Sequence, residues 1–259
     1  MPPVIFVGLG LNDEKGMTLE GVEEARRADR VFAEFYTNVM PNLRVDKLEE
    51  LIGKKIEVLT RAQLEDENGE RILSSAKRER VAFLVPGDPM IATTHVSLRL
   101  TLAKEGIGSR IIHSASIFSA ICGSTGLQSY KFGKSTTLPR DEPTPPSVID
   151  VIRENRSRNL HTLLLLELKT DGKPQLTIGS AINKLVRADR GIMERLAVGV
   201  ARLGSPDQKV KASKVSRLAE SDFGPVPHSL VFPGKLHFME AEALKAFAGA
   251  TDPDLEGSI

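Results

Sequence analysis

The sequence predicts an α/β protein of two domains, with a parallel sheet in the N-terminal domain and a mixed sheet in the C-terminal one. Three observations carry this. Short apolar runs alternate with helix-spaced segments from Val4 to Gly126, the pattern of a parallel, doubly wound sheet. The stretch Gln128 to Pro146 breaks that pattern with Pro139, Pro143, Pro145 and Pro146, and reads as an inter-domain connection. Beyond it fewer helices separate the strands, which favours a mixed sheet. The expected domains are residues 1–127 and 128–259.

The chain is organised around Val81 to Leu100. Val81 to Val85 is a short apolar run stopped by Pro86-Gly87, which reads as a strand buried on both faces. Gly87, Asp88 and Pro89 make a tight turn. Thr93 or Thr94 is expected to cap a helix whose apolar positions Val96, Leu100 and Ala103 follow helical spacing, with Gly106 and Gly108 ending it. A buried strand thus delivers a Gly-Asp-Pro loop to a helix N-terminus. Ligands of open α/β sheets sit beyond the strand C-termini, so this loop is the leading candidate for a small-molecule site.

The other elements follow in order. Val4 to Gly8 is the first buried strand, ending at Gly8-Leu9-Gly10-Leu11. Thr18 opens a helix carrying Leu19, Val22, Ala25 and Ala28. Val31 to Phe35 and Ile56 to Leu59 are strands, separated by a helix over Val45 to Ile52 that Gly53 ends. A charged helix covers Gln63 to Arg78. Arg110 to His113 is a strand, and Ala115 to Ile121 a helix running into Gly123 and Gly126. In the second half, Ser147 with Asp150 makes a capping-box-like start for a helix with Val148, Val151 and Ile152. Thr162 to Leu168, Leu196 to Leu203, Lys209 to Ala212 and Ser229 to Phe232 read as strands. Helices are expected from Thr177, with Ile178, Ala181, Ile182 and Leu185, and over Glu240 to Ala248. The tail Thr251 to Ile259 is expected to fray.

Composition narrows the function classes. With 41% hydrophobic and 27% charged residues, the chain is ordinary for a soluble globular protein. Its formal net charge of +1 provides no global field for nucleic acid or an anionic membrane. The basic runs Arg153 to Arg158 and Lys209 to Arg217 read first as solvated faces and second as docking patches. Cys122 is the one cysteine, so an intramolecular disulfide is excluded and a reducing, cytoplasmic setting is expected. The apolar runs Val4 to Leu11 and Leu163 to Leu166 are far short of a membrane span, and no basic stretch precedes the first of them. Zero Trp and two Tyr leave few platforms for stacking bases.

Several motifs fail on spacing. Gly8-Leu9-Gly10 follows a strand, but the dinucleotide fingerprint needs a glycine where Asp13 stands, and an aspartate there repels a pyrophosphate. The glycines fit a tight turn beside another ligand or the neighbouring loop. Gly126 with Gly133-Lys134-Ser135 has six residues between the glycines, where a phosphate loop requires four. No two histidines among His95, His113, His161, His228 and His237 lie three or four residues apart, so metal-ligand spacing is absent. No Gly-x-Ser-x-Gly elbow occurs. Ser114-Ala-Ser116 follows a strand and opens a helix. It reads as a serine cap and equally as a second ligand wall beside the Gly-Asp-Pro loop.

Gly8-Leu-Gly-Leu11, Ala33-Glu-Phe-Tyr-Thr37, Val85-Pro-Gly-Asp-Pro-Met90, His113-Ser-Ala-Ser-Ile117 and Pro227-His-Ser-Leu-Val-Phe-Pro-Gly-Lys-Leu-His237 together resemble the diphthine synthase branch of the tetrapyrrole-methylase-like methyltransferases. The resemblance runs from Val4 to about Ala248. It implies a tetrapyrrole-methylase-like fold of two α/β domains holding S-adenosylmethionine in the cleft between them, and a homodimer. It also implies methylation of the amino group of the 3-amino-3-carboxypropyl group on a modified histidine of translation elongation factor 2, giving diphthine. By position, Leu11, Asp88, Ile91, Ser116, Ile117, Leu168, Ala212 and His237 are the cofactor contacts that the resemblance implies. No side chain is nominated as a general base and no metal is implied. The central loop also fits a tetrapyrrole or ribosomal RNA methyltransferase of the same superfamily, and a non-catalytic cofactor-binding module is the third reading. The near-neutral net charge speaks against RNA.

Overall fold

Every apolar run read as a strand in the first half joins one parallel sheet in the computed structural model, which describes residues 2–169 and 172–259. The chain divides into two units, Met1–Ile117 and Phe118–Ile259. The first unit is built from β1 (Val4–Gly8), α1 (Leu19–Arg27), β2 (Arg30–Ala33), α2 (Val45–Ile52), β3 (Ile56–Val58), α3 (Arg61–Glu65), α4 (Glu70–Ala76), β4 (Val81–Val85), α5 (Val96–Lys104) and β5 (Ser109–Ile112). Strand order is β3-β2-β4-β1-β5, with every pairing parallel. Side chains alternate across the pleat. Phe6, Phe32 and Phe83 face a core closed by Leu64, Ile72, Leu73, Leu98 and Leu102. Val7, Val31, Ala33 and Leu84 face a second core closed by Ala25, Leu48 and Ile52. Helices therefore bury both faces of the sheet, which is why its strands read as continuous apolar runs.

The second unit follows α6 (Ile117–Thr125) with β6 (Thr136–Leu138), α7 (Pro146–Ser157), β7 (Thr162–Leu166), α8 (Ile178–Ala188), β8 (Leu196–Ala201), β9 (Lys209–Lys214), α9 (Val215–Leu218), β10 (His228–Phe232), α10 (Phe238–Ala248) and α11 (Asp252–Leu255). Its sheet has the order β6-β7-β10-β8-β9. β6 runs parallel to β7 and the remaining pairs are antiparallel, the mixed sheet that the sequence predicts. Among the described residues, no helix is long and apolar enough to cross a membrane.

Several local expectations are corrected. The charged helix over Gln63 to Arg78 is two helices, because Asn68 (φ 54°) and Gly69 (φ 68°) take the left-handed conformation between them. Thr93 and Thr94 do not cap α5. Its N-cap is His95, and the Thr93 hydroxyl turns back to the Pro89 carbonyl at 2.8 Å. The buried face of α5 is Leu98 and Leu102, while Val96 and Leu100 stand 57% and 60% exposed. Both faces have helical spacing, and only the contact with the sheet chooses between them. The Pro-rich stretch contains the edge strand β6, which a three-residue span is too short to announce. Ser147 does not cap α7, since Pro146 occupies its first turn and Pro145 is the N-cap without a side-chain bond.

The tail does not fray. Leu255 is buried, and the Leu236 N–H donates to the Ser258 carbonyl at 2.6 Å. Asp254, 2% exposed, accepts from the Ser213 hydroxyl at 2.7 Å, the Lys214 N–H at 3.0 Å and the Thr251 N–H at 2.9 Å, and pairs with Arg217. Burial alone raises its pKa, but these partners outweigh it and hold the carboxyl at about 2.

Candidate functional site

Three loops meet at the C-terminal edge of the parallel sheet. They follow β1, β4 and β5, the strands that lie side by side in its order. The backbones of Gly10 and Gly87 exchange hydrogen bonds of 3.2 and 2.8 Å, so the Gly-Leu-Gly turn is stitched to the Gly-Asp-Pro turn. Gly87 has φ +70°, and the space where a side chain would stand is open to 4 Å. Gly8 is the reverse case. A Cβ there would lie 2.7 Å from the Gly87 carbonyl oxygen and 2.7 Å from Ser114 Cβ. The Ser114 hydroxyl closes the third side, donating to the Gly16 carbonyl at 2.9 Å.

Asp88 is 6% exposed and its carboxylate ties the turn together. Oδ1 accepts the Met90 N–H at 3.0 Å. Oδ2 lies 2.7 Å from His113 Nδ1 and 3.4 Å from the Ser114 N–H. One carboxylate therefore holds its own turn and anchors the loop after β5. Leu11 and Ile117 are half-buried, Ile91 is exposed and Ser116 is buried. The structure thus gathers Leu11, Asp88, Ile91, Ser116 and Ile117 on three adjoining loops at one sheet edge. In the second unit the corresponding candidates stand on separate elements. Leu168 follows β7, and Ala212, 1% exposed, pairs with Val198 inside the sheet. His237 caps α10, its Nδ1 accepting the Met239 N–H at 3.3 Å. β10 runs antiparallel to β7, with Phe232 opposite Thr162, so the chain leaves β10 toward His237 at the edge opposite to Leu168.

Behind the Gly-Asp-Pro loop lies a polar cluster that the sequence reading did not assign. Glu34, fully buried at the end of β2, accepts the Tyr36 N–H at 2.9 Å, the Thr37 N–H at 3.1 Å and the Thr37 hydroxyl at 2.5 Å. Burial pushes its carboxyl up, against the opposing pull of these bonds. His95 is 2% exposed and packs edge-on to Phe83. Its Nδ1 lies 3.1 Å from the Pro89 carbonyl oxygen, which only accepts, so Nδ1 carries the proton. Its Nε2 has no hydrogen-bond partner and faces Glu34 Oε1 at 3.8 Å. Burial also lowers the pKa of His95, favouring the neutral ring. The signal available in the sequence was Ala33-Glu-Phe-Tyr-Thr37, an acidic residue placed directly after an apolar strand. His113 was visible as the end of a strand, but nothing local joins it to Asp88.

Glu34→Gln is expected to fold, because an amide oxygen still accepts the Tyr36 and Thr37 N–H groups. A raised pKa favours the protonated carboxyl in the folded protein. The contribution is therefore full below the ordinary value of 4.5 and is lost as pH rises through the raised one. Urea denaturation from pH 4 to 8 is expected to show the variant gaining on the native protein as pH rises. Parallel curves would refute the buried acid.

The residues at this edge suit a ligand with an apolar body and polar ends, S-adenosylmethionine included. Gly87 leaves room for close approach to the backbone, Leu11 and Ile91 offer apolar surface, and Asp88 adds negative charge beside the turn. Among the described residues no group of three or more His, Cys, Asp or Glu is placed to hold a metal ion.

A family model for tetrapyrrole (corrin/porphyrin) methylases matches residues 3–219. A diphthine synthase of Archaeoglobus fulgidus is 44% identical over 246 residues, covering 95% of each chain. One of Halorubrum lacusprofundi is 46% identical over 259 residues, covering 95% of this chain and 96% of that one. A crystal structure of diphthine synthase superposes with a TM-score of 0.91 at 43% identity, covering 99% of both chains.

Proposed function

This chain belongs to the tetrapyrrole methylase family, in its diphthine synthase branch of S-adenosylmethionine-dependent methyltransferases, and from that premise we propose that it methylates the amino group of the 3-amino-3-carboxypropyl histidine of translation elongation factor 2. The observation that carries this reading is the glycine-lined sheet edge around Asp88, together with the family to which the chain belongs. We assign the donor's contacts to Leu11, Asp88, Ile91, Ser116 and Ile117 of the first unit and to Leu168 and Ala212 of the second, and leave out His237, which stands at the opposite edge of its sheet from Leu168. A homodimer in the cytoplasm is part of the same proposal. The exposed Val96 and Leu100 of α5 offer apolar surface for a second copy.

S-adenosylmethionine, when bound, supplies a methyl carbon already activated on a sulfonium. The chain's own task is then to align that carbon with an incoming amine, and alignment of this kind contributes about 7–11 kcal/mol. Asp88 keeps the turn and the loop after β5 in register, so that Gly87 stays open. The Glu34–His95 cluster holds the Pro89 carbonyl from behind. The substrate amine attacks as the neutral base and passes its proton to water.

Incubation with methyl-labelled S-adenosylmethionine and elongation factor 2 carrying the aminocarboxypropyl histidine is expected to place label on the factor. Label moving only to a precorrin-type pigment or to ribosomal RNA would overturn the substrate. Asp88→Ala leaves the half-buried Met90 N–H without its charged acceptor, a loss of about 1–3 kcal/mol. Calorimetry is expected to show cofactor affinity falling about 10- to 100-fold, with circular dichroism unchanged. Equal affinity in the variant would mean that the site lies elsewhere.

A further inference from the structure

Two basic runs far apart in sequence, Arg153 to Arg158 and Lys209 to Arg217, meet in the second unit. Arg156 of α7 and Lys214 at the end of β9 line one cavity of about 370 Å³. Arg195, just before β8, and Lys235, after β10, complete its basic wall. The carboxylates on the same wall are the side chains of Glu194 and Glu256 and the terminal carboxylate of Ile259, so the four cations outnumber them by one.

The polar contacts inside the fold do not neutralise this wall. Lys214 Nζ donates at 3.2 Å to the main-chain carbonyl of Glu256, a neutral acceptor. Asp189, the nearby carboxylate, forms its ion pair with Arg153 at 3.0 Å. Arg195 is left with its Nε and Nη1 shut off from solvent and without a hydrogen-bond partner. Burial, and then the neighbouring Arg156 charge, press its pKa down, with Asp189 opposing. A guanidinium keeps its proton, so an anion in the cavity offsets this crowding.

We propose that this cavity is a binding site for a phosphoryl group, either free inorganic phosphate or the phosphate end of a small phosphomonoester. A dianion matches a wall with excess positive charge, and the exposed, planar fork of Arg156 suits phosphate oxygens, with Arg195 adding its charge from behind. The volume lies within the range of small-molecule pockets, larger than a bare anion requires. None of the residues assigned to the methyl donor lines the cavity, so the site stands or falls independently of the methyltransferase reading.

The test titrates the full chain with inorganic phosphate in one arm and ribose 5-phosphate in the other, against sodium chloride at matched ionic strength. The readouts are the ³¹P resonance and the melting temperature. A saturable ³¹P shift with a melting temperature raised by a few degrees over chloride is expected in at least one arm, and the tighter arm identifies the source. Arg195→Ala and Lys235→Glu are each expected to weaken that binding at least tenfold. Lys235 is exposed, so its variant keeps the test decisive if Arg195→Ala fails to fold. No saturation in either arm, or equal affinity in Lys235→Glu, would overturn the site.

Discussion

Replacing Gly8 with alanine is expected to cut methyl transfer on the order of 100-fold, the scale at which displacing a positioned group by about 1 Å acts. The cause is steric and local. The new Cβ would lie 2.7 Å from the Gly87 carbonyl oxygen, 2.7 Å from Ser114 Cβ and 3.0 Å from Ser114 N. Two of these neighbours are backbone in the loops that form the candidate site, so they cannot swing aside as a flexible side chain would. Overpacking of this kind costs about 1–3 kcal/mol, which leaves the fold standing and the loops displaced. Gly53→Ala is the control. It sits at positive φ, +67°, where Gly8 does not, and nothing lies within 4 Å of its Cβ position. It is expected to lose about 1 kcal/mol of stability from backbone strain and to transfer methyl groups at the native rate. The labelled-donor assay on both variants decides the point. Native transfer by Gly8→Ala would mean that the meeting of these loops has no part in the chemistry.

The largest stability effect is expected at Glu240. Its side chain is fully buried and receives four hydrogen bonds. Oε1 accepts from the Gln128 N–H at 2.9 Å and His161 Nε2 at 2.8 Å. Oε2 accepts from Lys131 Nζ at 2.5 Å and the His237 N–H at 2.8 Å. The tautomer of His161 is decided by its other nitrogen, which accepts the Gly234 N–H at 3.0 Å and leaves Nε2 to donate. Burial alone raises the Glu240 pKa, but these donors together outweigh it and bring the carboxyl down to about 2.

Glu240→Ala removes one partner of a buried pair and strands Lys131 and three other donors, a loss of about 3–5 kcal/mol. For a protein of this length that is a fall in melting temperature of roughly 10 °C. The pH dependence has a definite sign. A lowered pKa contributes stability that is fully present above the ordinary 4.5 and is lost as pH falls through about 2. Glu240→Gln should therefore be less stable than the native protein at pH 7 and approach it toward pH 2, as read from urea midpoints. A constant gap over that range would remove the ionised carboxylate from the account.

His237 takes its meaning from this network. The resemblance implies it as a cofactor contact, but its ring caps α10 while its N–H binds Glu240. A substitution at His237 that weakens the cofactor therefore needs the melting temperature measured beside it. His237→Asn retains a capping side chain and separates the two roles.

Much of the molecule was legible because it depends on neighbours in sequence. Val4–Gly8 and Val81–Val85 are buried on both faces, so their apolar runs needed no partner to be recognised. Thr18 and Thr177 announced their helices because a capping hydroxyl binds an N–H three residues on. The Gly-Asp-Pro loop was visible because a turn at positive φ selects glycine. The capping expectation failed at Thr93, whose hydroxyl found the Pro89 carbonyl of the preceding loop instead. Spacing does not decide the buried face of α5, because Val96, Leu100 and Ala103 and the pair Leu98 and Leu102 fit a helix equally well.

By itself, then, the sequence determined the strands, most helices, the division into a parallel and a mixed sheet, and the turn residues at the candidate site. Those features arise from interactions within a few residues, where periodicity, capping and backbone preference act. Tertiary structure alone decided that Asp88 meets His113, that Glu34 faces His95, that Asp254 docks the tail, and that Arg156 and Lys214 share a cavity. Each of these joins side chains more than twenty residues apart. Burial and charge at such places depend on which surfaces the packed sheets bring together, and no local pattern encodes that.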